Sequence, residues 1–457
     1  MSPEWVSISA LIALFVIGTV LPINMGALGF VAAWLVGMYS LGLEEKEIIA
    51  GISGDLVLTL VGVTYLFAIA RNNGTVDLIV RGAVRAVGGR VVFIPWVMFG
   101  VAALLTAIGA ASPAACAIVG PIALGFAGRY KINPLLVGML VVHGAQGGGF
   151  SPISIYGAIT NSVMSDNNLA VSEMTVFLTS LVVNLAIAIV LFLALGGREL
   201  WSRRIEEDHD VPAEGDGAGS GSGPAVTRPV DDASGTGGTS TGGGTATLAP
   251  AEPATTQRMG VDQVFTLVAF LVVATLALVF DKNIGFTAIT AAVVLTAMFP
   301  KAQKDAVSKI AWSTVLLVAG VSTFATILNT AGAPQYVGTW AAGLGVAVLG
   351  ALVLCYVGGV VSAFASSTAL LPIIIPIAIP LIAEGNVSAV ALVAALAVSS
   401  TIVDVSPFST NGALMVANRP DTISEEKFYK QILAYSMLVV VVGPALVWAA
   451  VVLPGWV

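Results

Sequence analysis

Charge is scarce in this chain. Only 10% of its 457 residues are Asp, Glu, Lys or Arg, whereas soluble domains carry about 25%. Hydrophobic residues make up 57% of the chain, and its mean hydropathy is +0.96. This composition excludes an ordinary soluble domain and predicts a polytopic α-helical membrane protein embedded in a lipid bilayer. The net charge of −7 provides no electrostatic attraction for the phosphates of nucleic acid, so we expect no nucleic-acid partner.

Cysteine and enzyme motifs are also scarce. The two cysteines, Cys116 and Cys355, both fall in apolar segments, so the sequence predicts small core residues rather than a disulfide framework. The motifs HExxH and the P-loop are absent, and GxSxG occurs only as GTSTG at 238–242, inside a low-complexity stretch of Gly, Ser and Thr, so we expect the chain not to be an enzyme. His143 and Ser151 lie close in sequence, but they lack a supported third member of a triad.

Two stretches of the chain resemble each other. The string that begins at Ala111, ASPAACAIVGPIA…FSPISIYGA, recurs without a gap from Ser366 as SSTALLPIIIPIA…VSPFSTNGA. The shared residues include the pairs Ser112/Ser367, Pro121/Pro376, Ser151/Ser406, Pro152/Pro407, Ser154/Ser409 and Gly157/Gly412. Pro, Gly and Ser at matching places in two apolar halves predict broken helices and a site shared between repeats.

Each half has the same predicted order of elements. Apolar runs predict five spanning helices per half, the fourth of which is broken. These spans are 4–21, 25–42, 55–71, 134–164 and 174–196, and then 262–280, 284–299, 313–330, 388–417 and 431–453. Two apolar arms between the third and fourth spans predict a re-entrant hairpin in each half, at 91–110 and 112–128 and at 343–364 and 368–383. Residues 72–90 predict an interfacial amphipathic helix.

The predicted fold class is an all-α polytopic membrane protein built of two inverted repeats. The first repeat covers residues 1–197 and the second covers residues 261–457. Residues 198–260 are rich in Gly, Ser and Thr and predict a disordered linker between the repeats.

The basic residues predict the orientation. Five spans per half is an odd number of crossings, so the two halves must enter the membrane from opposite sides. If the linker is cytoplasmic, every Lys and Arg except Lys46 and Lys282 lies inside. We therefore expect a multi-pass protein of the cell membrane with both termini outside.

The hairpin tips are the first candidate site. They carry Ser112 and Pro113 in the first half and Ser366, Ser367 and Thr368 in the second. A tip inside the membrane leaves backbone groups that lipid cannot satisfy, so it must line an enclosed or wet cavity. Hydroxyls and helix N-termini there suit an anion, and free carbonyls suit a small cation. The alternative is that small residues merely allow tight packing.

The two helix breaks are the second candidate site. They offer Gln146, Gly147, Gly148, Gly149, Ser151, Pro152 and Ser154 in the first half, and Thr401, Asp404, Ser406, Pro407, Ser409, Thr410 and Asn411 in the second. Three glycines before a Ser-Pro pair disfavour a straight helix. We expect each second half-helix to begin at its Ser-Pro pair, with its positive end pointing inward. A proline kink with locally satisfied carbonyls is the alternative.

Asp404 and His143 are the ionisable side chains that we place deep in the membrane near the site. An intramembrane carboxylate is costly, so Asp404 is a candidate cation ligand or proton carrier; the alternative is a carboxylate that caps a half-helix. His143 is a second candidate, or else a neutral histidine bonded within the bundle. Because no Arg or Lys falls in the predicted core, hydroxyls, amides and helix dipoles must hold an anion, with a bound cation to assist.

Several long strings carry a family resemblance. They are PINMGALGF, LTLVGVTYLFAIARNNGT, FIPWVMF, HGAQGGGFSPISIYGAIT and DVSPFSTNGALMVAN. With these strings the chain resembles the malonate/dicarboxylate carriers of the ion transporter superfamily, and more distantly the divalent anion–sodium symporters. The resemblance implies a homodimer. It also implies a scaffold, at 1–90 and 261–342, and a transport part, at 91–197 and 343–457, that moves as an elevator.

The resemblance also implies where ligands bind, and the chain departs from it at the tips. In those symporters each hairpin tip carries a Ser-Asn-Thr motif that binds carboxylate and lines a sodium site. Here the matching positions read Ala111-Ser112-Pro113 and Ser366-Ser367-Thr368, so both asparagines are missing. We hypothesise that Asp404 compensates, and that Na⁺ binds near Gly149 and near Asp404.

The implied function is import of a small dicarboxylate, malonate first and C4-dicarboxylates next, with Na⁺ or H⁺ and no other cofactor. We assign the substrate to the tip residues and to the Ser, Pro, Thr410 and Asn411 positions of the breaks. The coupling ion is assigned to His143, Gln146–Gly149, Thr401 and Asp404. The alternatives are a carrier of citrate, arsenite or another oxyanion, an anion channel of the same architecture and, more weakly, an intramembrane hydrolase.

Overall fold

The order of helices repeats from one half of the chain to the other. In a computed structural model, the first half contains α1 (Pro3–Val20), α2 (Met25–Ser40), α3 (Glu45–Ala50), α4 (Gly54–Asn72), α5 (Thr75–Ala86), α6 (Phe93–Ala107), α7 (Ser112–Arg129), α8 (Pro134–Gly148), α9 (Ile155–Asp166) and α10 (Glu173–Ala194). The second half contains α11 (Val261–Leu278), α12 (Ile284–Met298), α13 (Trp312–Thr330), α14 (Ala333–Ala342), α15 (Ala347–Phe364), α16 (Ser367–Ile377), α17 (Ile379–Ala383), α18 (Ala389–Ile402), α19 (Thr410–Ala417) and α20 (Glu425–Val451).

The structure describes most of the chain outside the predicted linker. The described residues are 2–21, 23–86, 90–170, 172–203, 259–280, 282–300, 304–342, 347–364, 366–383 and 387–454. Residues 1–205 and 260–457 form one compact unit. The beginning of the predicted linker is helical, because Gly197–Ser202 form a 3₁₀ turn. The remainder of that linker, 204–258, lies outside the described residues.

The helices of the two halves pack on each other reciprocally. Helix α2 packs on α13, and its counterpart α12 packs on α4. The same exchange occurs in three further sets of contacts. Helix α1 packs on α14 and its counterpart α11 packs on α5; α9 packs on α16 and its counterpart α19 packs on α7; α10 packs on α18 and its counterpart α20 packs on α8. Such an exchange of partners is what a two-fold relation between duplicated halves produces, as the internal sequence repeat predicts.

Glycines make the closest of these reciprocal contacts. Gly320 of α13 faces Gly26 of α2, and a Cβ on Gly320 would collide with the carbonyl oxygen of Gly26. In the exchanged pair, a Cβ on Gly62 of α4 would lie 2.6 Å from the carbonyl oxygen of Gly285 in α12. Small residues therefore let the backbones of these helices touch, as they commonly do in membrane bundles.

Asparagine caps begin the corresponding helices α2 and α12. The side chain of Asn24 accepts a hydrogen bond from Gly26 N at 2.8 Å, and that of Asn283 accepts one from Phe286 N at 3.0 Å. Each cap also reaches the other half, since the Asn24 amide donates to the Ser313 carbonyl at 3.1 Å and the Asn283 amide donates to Asp55. The two asparagines therefore pair backbone N–H groups at the helix starts, and they also link the two halves by hydrogen bonds.

The predicted spans are largely present as apolar helices. Seven helices in the described part of the chain are long and apolar enough to cross a membrane: α1, α4, α7, α10, α11, α13 and α20. Helices α2 and α12 are apolar but shorter than predicted, and α7 reaches spanning length although the sequence placed it in a hairpin. The all-α polytopic membrane fold is confirmed. The re-entry of the hairpins stays a prediction.

The broken helices α8 and α18 form the centre of the bundle. Nearly every side chain from Leu135 to Gly148 is buried, and so is every side chain from Ala391 to Ile402. The predicted amphipathic helix is also present as α5, which buries Val76 and Val80 and exposes Arg81. Because other helices surround α8 and α18, their breaks are enclosed by protein rather than by lipid.

Candidate functional site

A cavity of about 820 Å³ brings both hairpin tips and both helix breaks together. The tips contribute Ser112 and Pro113 from one half and Ser366–Thr368 from the other. The breaks contribute Gly149 in the first half and Asp404, Ser409 and Thr410 in the second. This volume lies in the range of small-molecule sites.

Four helices begin at this cavity. Lining residues occupy the first turn or the N-cap of α7 (Ser112), α9 (Ile155), α16 (Ser367) and α19 (Thr410). A helix N-terminus carries partial positive charge and unpaired N–H groups. Among its described lining residues the cavity has one ionisable carboxylate, Asp404, and no Lys or Arg. The arrangement can therefore bind an anion without a cationic side chain.

The first tip is a tight turn between α6 and α7. Gly109 has φ +110°, a region that favours glycine, and a side chain there would collide with Val63 of α4. The turn places Ser112 at the start of α7, where its hydroxyl accepts a hydrogen bond from the Asn411 amide at 3.0 Å. A residue of the second break thus contacts the first tip.

The second tip contains a cluster of paired hydroxyls. The Ser366 and Thr368 hydroxyls lie 2.6 Å apart, and those of Ser362 and Ser367 lie 2.8 Å apart. Ser367 also donates to the carbonyl of Ser400 in α18 at 3.3 Å. These bonds tie the start of α16 to the broken helix that precedes Asp404.

The first break is a short turn capped by Ser154. The Ser154 hydroxyl donates to the Ser151 carbonyl at 2.6 Å and also to the Gly149 carbonyl, and it accepts a hydrogen bond from Gly157 N at 3.3 Å. Helix α9 consequently begins at Ile155, three residues later than the expected start at Ser151-Pro152. The expectation was wrong because Ser154, not the Ser-Pro pair, supplies the N-cap oxygen.

The second break repeats this geometry. The Ser409 hydroxyl donates to the Ser406 carbonyl at 2.8 Å and accepts from Gly412 N at 3.2 Å, so α19 begins at Thr410 rather than at Ser406-Pro407. A Cβ on Gly157 or on Gly412 would collide with the carbonyl oxygen of Ser151 or of Ser406. The duplicated sequence positions therefore form the same capped turn, and they differ in further bonds: the Ser154 hydroxyl donates to the Gly149 carbonyl, and Ser409 N donates to the Ser406 hydroxyl.

The glycines before the first break are also required by close packing between helices. Helix α8 continues through Gly148, and a Cβ on that residue would collide with the Ala103 carbonyl of α6. Gly147 faces Asn184 of α10, with a Cβ separation of 3.3 Å. The carbonyls of Gln146, Gly148 and Gly149 already accept hydrogen bonds from Gly149 N, Ser151 N and the Ser154 hydroxyl. Close helix packing explains these glycines without a ligand.

Asp404 and Asn411 form the polar centre of the second break. The Asn411 amide donates to Asp404 Oδ2 at 3.1 Å, in addition to its bond with Ser112. Asn411 is fully buried, and its Oδ1 has no hydrogen-bond partner among the described residues. No described Lys or Arg pairs with Asp404. The Asp404 carboxylate and the unpartnered amide oxygen of the neighbouring Asn411 are the ligand types that suit a small hard cation.

The candidate residues divide into those that line the cavity and those that do not. Ser112, Pro113, Ser366, Ser367, Thr368, Ser409, Thr410, Gly149 and Asp404 line it. Asn411 donates hydrogen bonds to two of these residues, Ser112 and Asp404. Ser151, Pro152, Ser154, Ser406 and Pro407 lie in the turns beneath the cavity, and Thr401 is bonded within α18.

His143 lies in a different buried network. Its Nδ1 is 2.8 Å from Asn184 Oδ1 of α10, and its Nε2 is 2.5 Å from the hydroxyl of Tyr435 in α20. It does not line the central cavity, and its satisfied contacts favour the alternative of a structural histidine. Gln146, one turn later, is fully buried, and its side-chain atoms have no partner among the described residues.

The sequence reading missed part of the cavity wall. Tyr156 and Phe408 line it from the breaks, and Thr19, Ser313 and Thr314 line it from α1 and α13. Tyr156 occupies the same position in the first repeat as Asn411 in the second, so the repeat alignment itself could have identified it. The contributions of α1 and α13 depend on packing between distant segments and have no local signal.

Two family models match the chain, one in each half. Residues 1–149 match the model described as the N-terminus of the dicarboxylate carrier protein MatC. Residues 284–456 match the model described as citrate transporter. A search of curated proteins returned no match.

A solved structure has a similar fold. The YdaH transporter of Alcanivorax borkumensis, whose crystal structure is described as revealing an unusual topology, matches with a TM-score of 0.55 and 13% sequence identity. The match covers 88% of this chain and 87% of that chain, so the likeness extends to the whole fold.

Proposed function

We propose that this chain, whose resemblance to the dicarboxylate carriers of the ion transporter superfamily is confirmed by its family matches and fold, is a secondary active transporter for a small dicarboxylate. The substrate is malonate first and C4-dicarboxylates second. It is imported with Na⁺ or H⁺ across the cell membrane.

The four helix N-termini around the central cavity carry this proposal. A dicarboxylate has two anionic groups, and the cavity offers N-terminal turns and hydroxyls from both repeats, at Ser112 and Thr410 and at Ile155 and Ser367. The two carboxylates would each be held by one pair of helix ends, without a cationic side chain. This division suits a short substrate with a charge at each end.

Asp404 and Asn411 account for the coupling ion in this proposal. An anionic substrate beside an unpaired carboxylate is electrostatically unfavourable. A Na⁺ ion or a proton on Asp404 removes that repulsion, so substrate and cation bind together more strongly than either alone. The first break has no matching acid, and the cation site near Gly149 stays a prediction supported only by the unpartnered side chain of Gln146.

Alternating access requires that one part of the bundle move against another. We propose that the two halves are inverted in the membrane and that the transport parts, 91–197 and 343–457, move as an elevator within a homodimer. The reciprocal packing of the two halves supports this, since inverted repeats can exchange inward-open and outward-open arrangements.

The test is uptake of [¹⁴C]malonate into proteoliposomes under separately imposed Na⁺ and pH gradients, with succinate and citrate as competitors. Concentrative uptake driven by one gradient is expected, and that gradient names the coupling ion. A matched pair of variants locates the site: Ser112→Ala should raise KM about tenfold, because hydrogen bonds to charged groups contribute roughly 1.5–3 kcal/mol. The exposed Ser308→Ala, outside the cavity, should leave KM unchanged.

Absence of uptake by protein with a normal unfolding transition would contradict the dicarboxylate assignment. Conductance without accumulation would instead identify an anion channel. Citrate is the alternative to a dicarboxylate, because residues 284–456 match the citrate transporter model and the cavity has room for a third carboxylate. Citrate uptake that exceeds malonate uptake at equal concentration would select it.

A further inference from the structure

A second cavity, of about 460 Å³, lies at one end of the bundle and has a different character. The loop between α7 and α8, the 3₁₀ turn after α10 and the start of α20 meet there. Three basic residues line the cavity: Lys131, Arg203 and Lys427. Leu136, Leu195 and Leu200 form part of an apolar wall beside them.

Among the described residues, acidic side chains offset the positive charge of this cavity only in part. Lys131 and Lys427 form no ion pair with any residue that the structure describes. The nearby Glu425 and Glu426 pair elsewhere, with Arg419 at 3.2 Å and with Lys430 at 2.6 Å. Glu199 is the one acid among the described lining residues, against three bases. An anion would therefore gain from entering the cavity.

Hydrogen bonds hold the Arg203 side chain in place, and the backbone conformation at Lys131 directs a second basic residue to the cavity. The Arg203 guanidinium donates to the Tyr130 carbonyl at 2.5 Å and to the Lys131 carbonyl at 3.3 Å, which fixes the loop that forms one wall. Lys131 has φ +49° and closes the end of α7, where Ile132 N bonds to the Ala127 carbonyl at 2.9 Å. Glycine is the residue that this backbone position favours. A lysine is there instead, and its side chain reaches the cavity.

The cavity also adjoins the ends of membrane-spanning helices, where lipid headgroups are expected. It is bordered by the end of α10 and the start of α20, two helices of membrane-spanning length. Trp201, beside Leu200 in the 3₁₀ turn, is 68% exposed. Exposed tryptophan at the end of a spanning helix is typical of the membrane–water interface.

We propose that this cavity binds the phosphate headgroup of an anionic phospholipid. Lys131, Arg203 and Lys427 hold the phosphate, and the leucine wall accommodates the glycerol and the first acyl carbons. A soluble anion such as inorganic phosphate would gain nothing from that apolar wall. Basic pockets between spanning helices bind anionic lipid headgroups in the same way. The proposal is independent of the transported substrate.

The test is thermal unfolding of the full chain in neutral detergent with added phosphatidylglycerol, phosphatidylcholine or inorganic phosphate. Phosphatidylglycerol should raise the Tm of the wild type, whereas phosphatidylcholine and inorganic phosphate should not. Lys131→Gly combined with Lys427→Gln should remove at least half of that rise. Lys46→Gln, an exposed lysine on α3, should keep it.

Glycine is chosen at position 131 so that loss of the lipid effect cannot be attributed to destabilisation of the protein. Glycine adopts φ +49° freely, so this variant without lipid should unfold at a Tm no lower than that of the wild type. The proposal is overturned if the double variant keeps the full phosphatidylglycerol shift, or if inorganic phosphate alone reproduces it. Lipid retained after purification, measured by native mass spectrometry, should fall in parallel with the Tm shift.

Discussion

The two helix breaks share a backbone but differ in chemistry. In both breaks a serine caps the second half-helix, Ser154 in one and Ser409 in the other, and a glycine leaves room for a carbonyl oxygen beneath. At the position where the second break has Asp404, the first has Gly149. At the position of Asn411, the first has Tyr156.

The exchanged residues contact each other within each break. Asn411 donates to Asp404 at 3.1 Å, and the Tyr156 ring lies 2.7 Å from where a Cβ of Gly149 would be. A bulky ring thus occupies in one half the space that a carboxylate occupies in the other. Duplication has kept the turns that shape the cavity, while the charge is confined to one half.

The largest expected effect tests the shared backbone. Gly157→Ala and Gly412→Ala each place a Cβ on a carbonyl oxygen of a buried turn, so both should strongly lower the yield and Tm of folded protein. Gly82→Ala on α5 meets open space and should be neutral or slightly stabilising, since alanine favours a helix by about 1 kcal/mol over glycine. Tolerance of the change in one half alone would show that the breaks are not equivalent in solution.

The next effect tests the charge that distinguishes the halves. Asp404→Asn keeps the side-chain volume and removes the proposed cation ligand or proton carrier. Accumulation driven by the coupling gradient should fall at least tenfold, which corresponds to about 1.4 kcal/mol of coupling free energy. The measurement is concentrative uptake in proteoliposomes compared with counterflow, which needs no gradient.

Stability separates this outcome from a folding defect. The Asp404→Asn protein should keep its Tm within a few degrees, because the new amide can still accept from Asn411. Asp421→Asn, the same chemical change at an exposed loop residue, should leave accumulation unchanged. Unaltered ion coupling in well-folded Asp404→Asn protein would remove Asp404 from the mechanism.

A smaller effect compares Asn411 with Tyr156. Asn411→Ala removes the unpartnered Oδ1 and the donor to both Asp404 and Ser112. If Na⁺ is the coupling ion, its apparent affinity should weaken about tenfold, as expected for loss of a bond to a charged group. If H⁺ is the coupling ion, loss of the donor to Asp404 should instead strengthen proton binding. Tyr156→Phe keeps the ring and should change that affinity less than threefold, near the lower limit of a neutral hydrogen bond. Initial rates measured against Na⁺ concentration or external pH provide both values. A larger effect at Tyr156 would move the coupling site to the first break.

The fold and nine of the 22 residues that line the cavity were predictable, because each repeat provides independent evidence for the matching position in the other. The pairs Ser112/Ser367 and Ser154/Ser409 identified the tips and the helix breaks from sequence. The starts of α9 and α19 were misplaced, because a Ser-Pro pair has the general signature of a helix start whereas the cap depends on which hydroxyl reaches the backbone. His143 was predicted near the site and lies in a separate network, since one turn of α8 is enough to point it toward α10 and α20. Contacts between distant helices, such as those of Thr314 with the cavity, leave no local pattern.

The smallest expected effect comes from removing the serine N-caps of α9 and α19. Ser154→Ala and Ser409→Ala each remove an N-cap oxygen, which should lower stability by about 1 kcal/mol, whereas the glycine variants at the same positions should lose only a few tenths. Denaturant unfolding of the four proteins measures this, and the loss at Ser154 should be the larger of the two, because its hydroxyl also bonds to the Gly149 carbonyl. Transport should separate the two positions. Ser409 lines the cavity and Ser154 lies beneath it, so Ser409→Ala should also raise the substrate KM and Ser154→Ala should not. A raised KM in Ser154→Ala would show that the Ser154 hydroxyl contacts the substrate, as predicted from the sequence. It would also mean that the turn of the first break opens when the substrate binds.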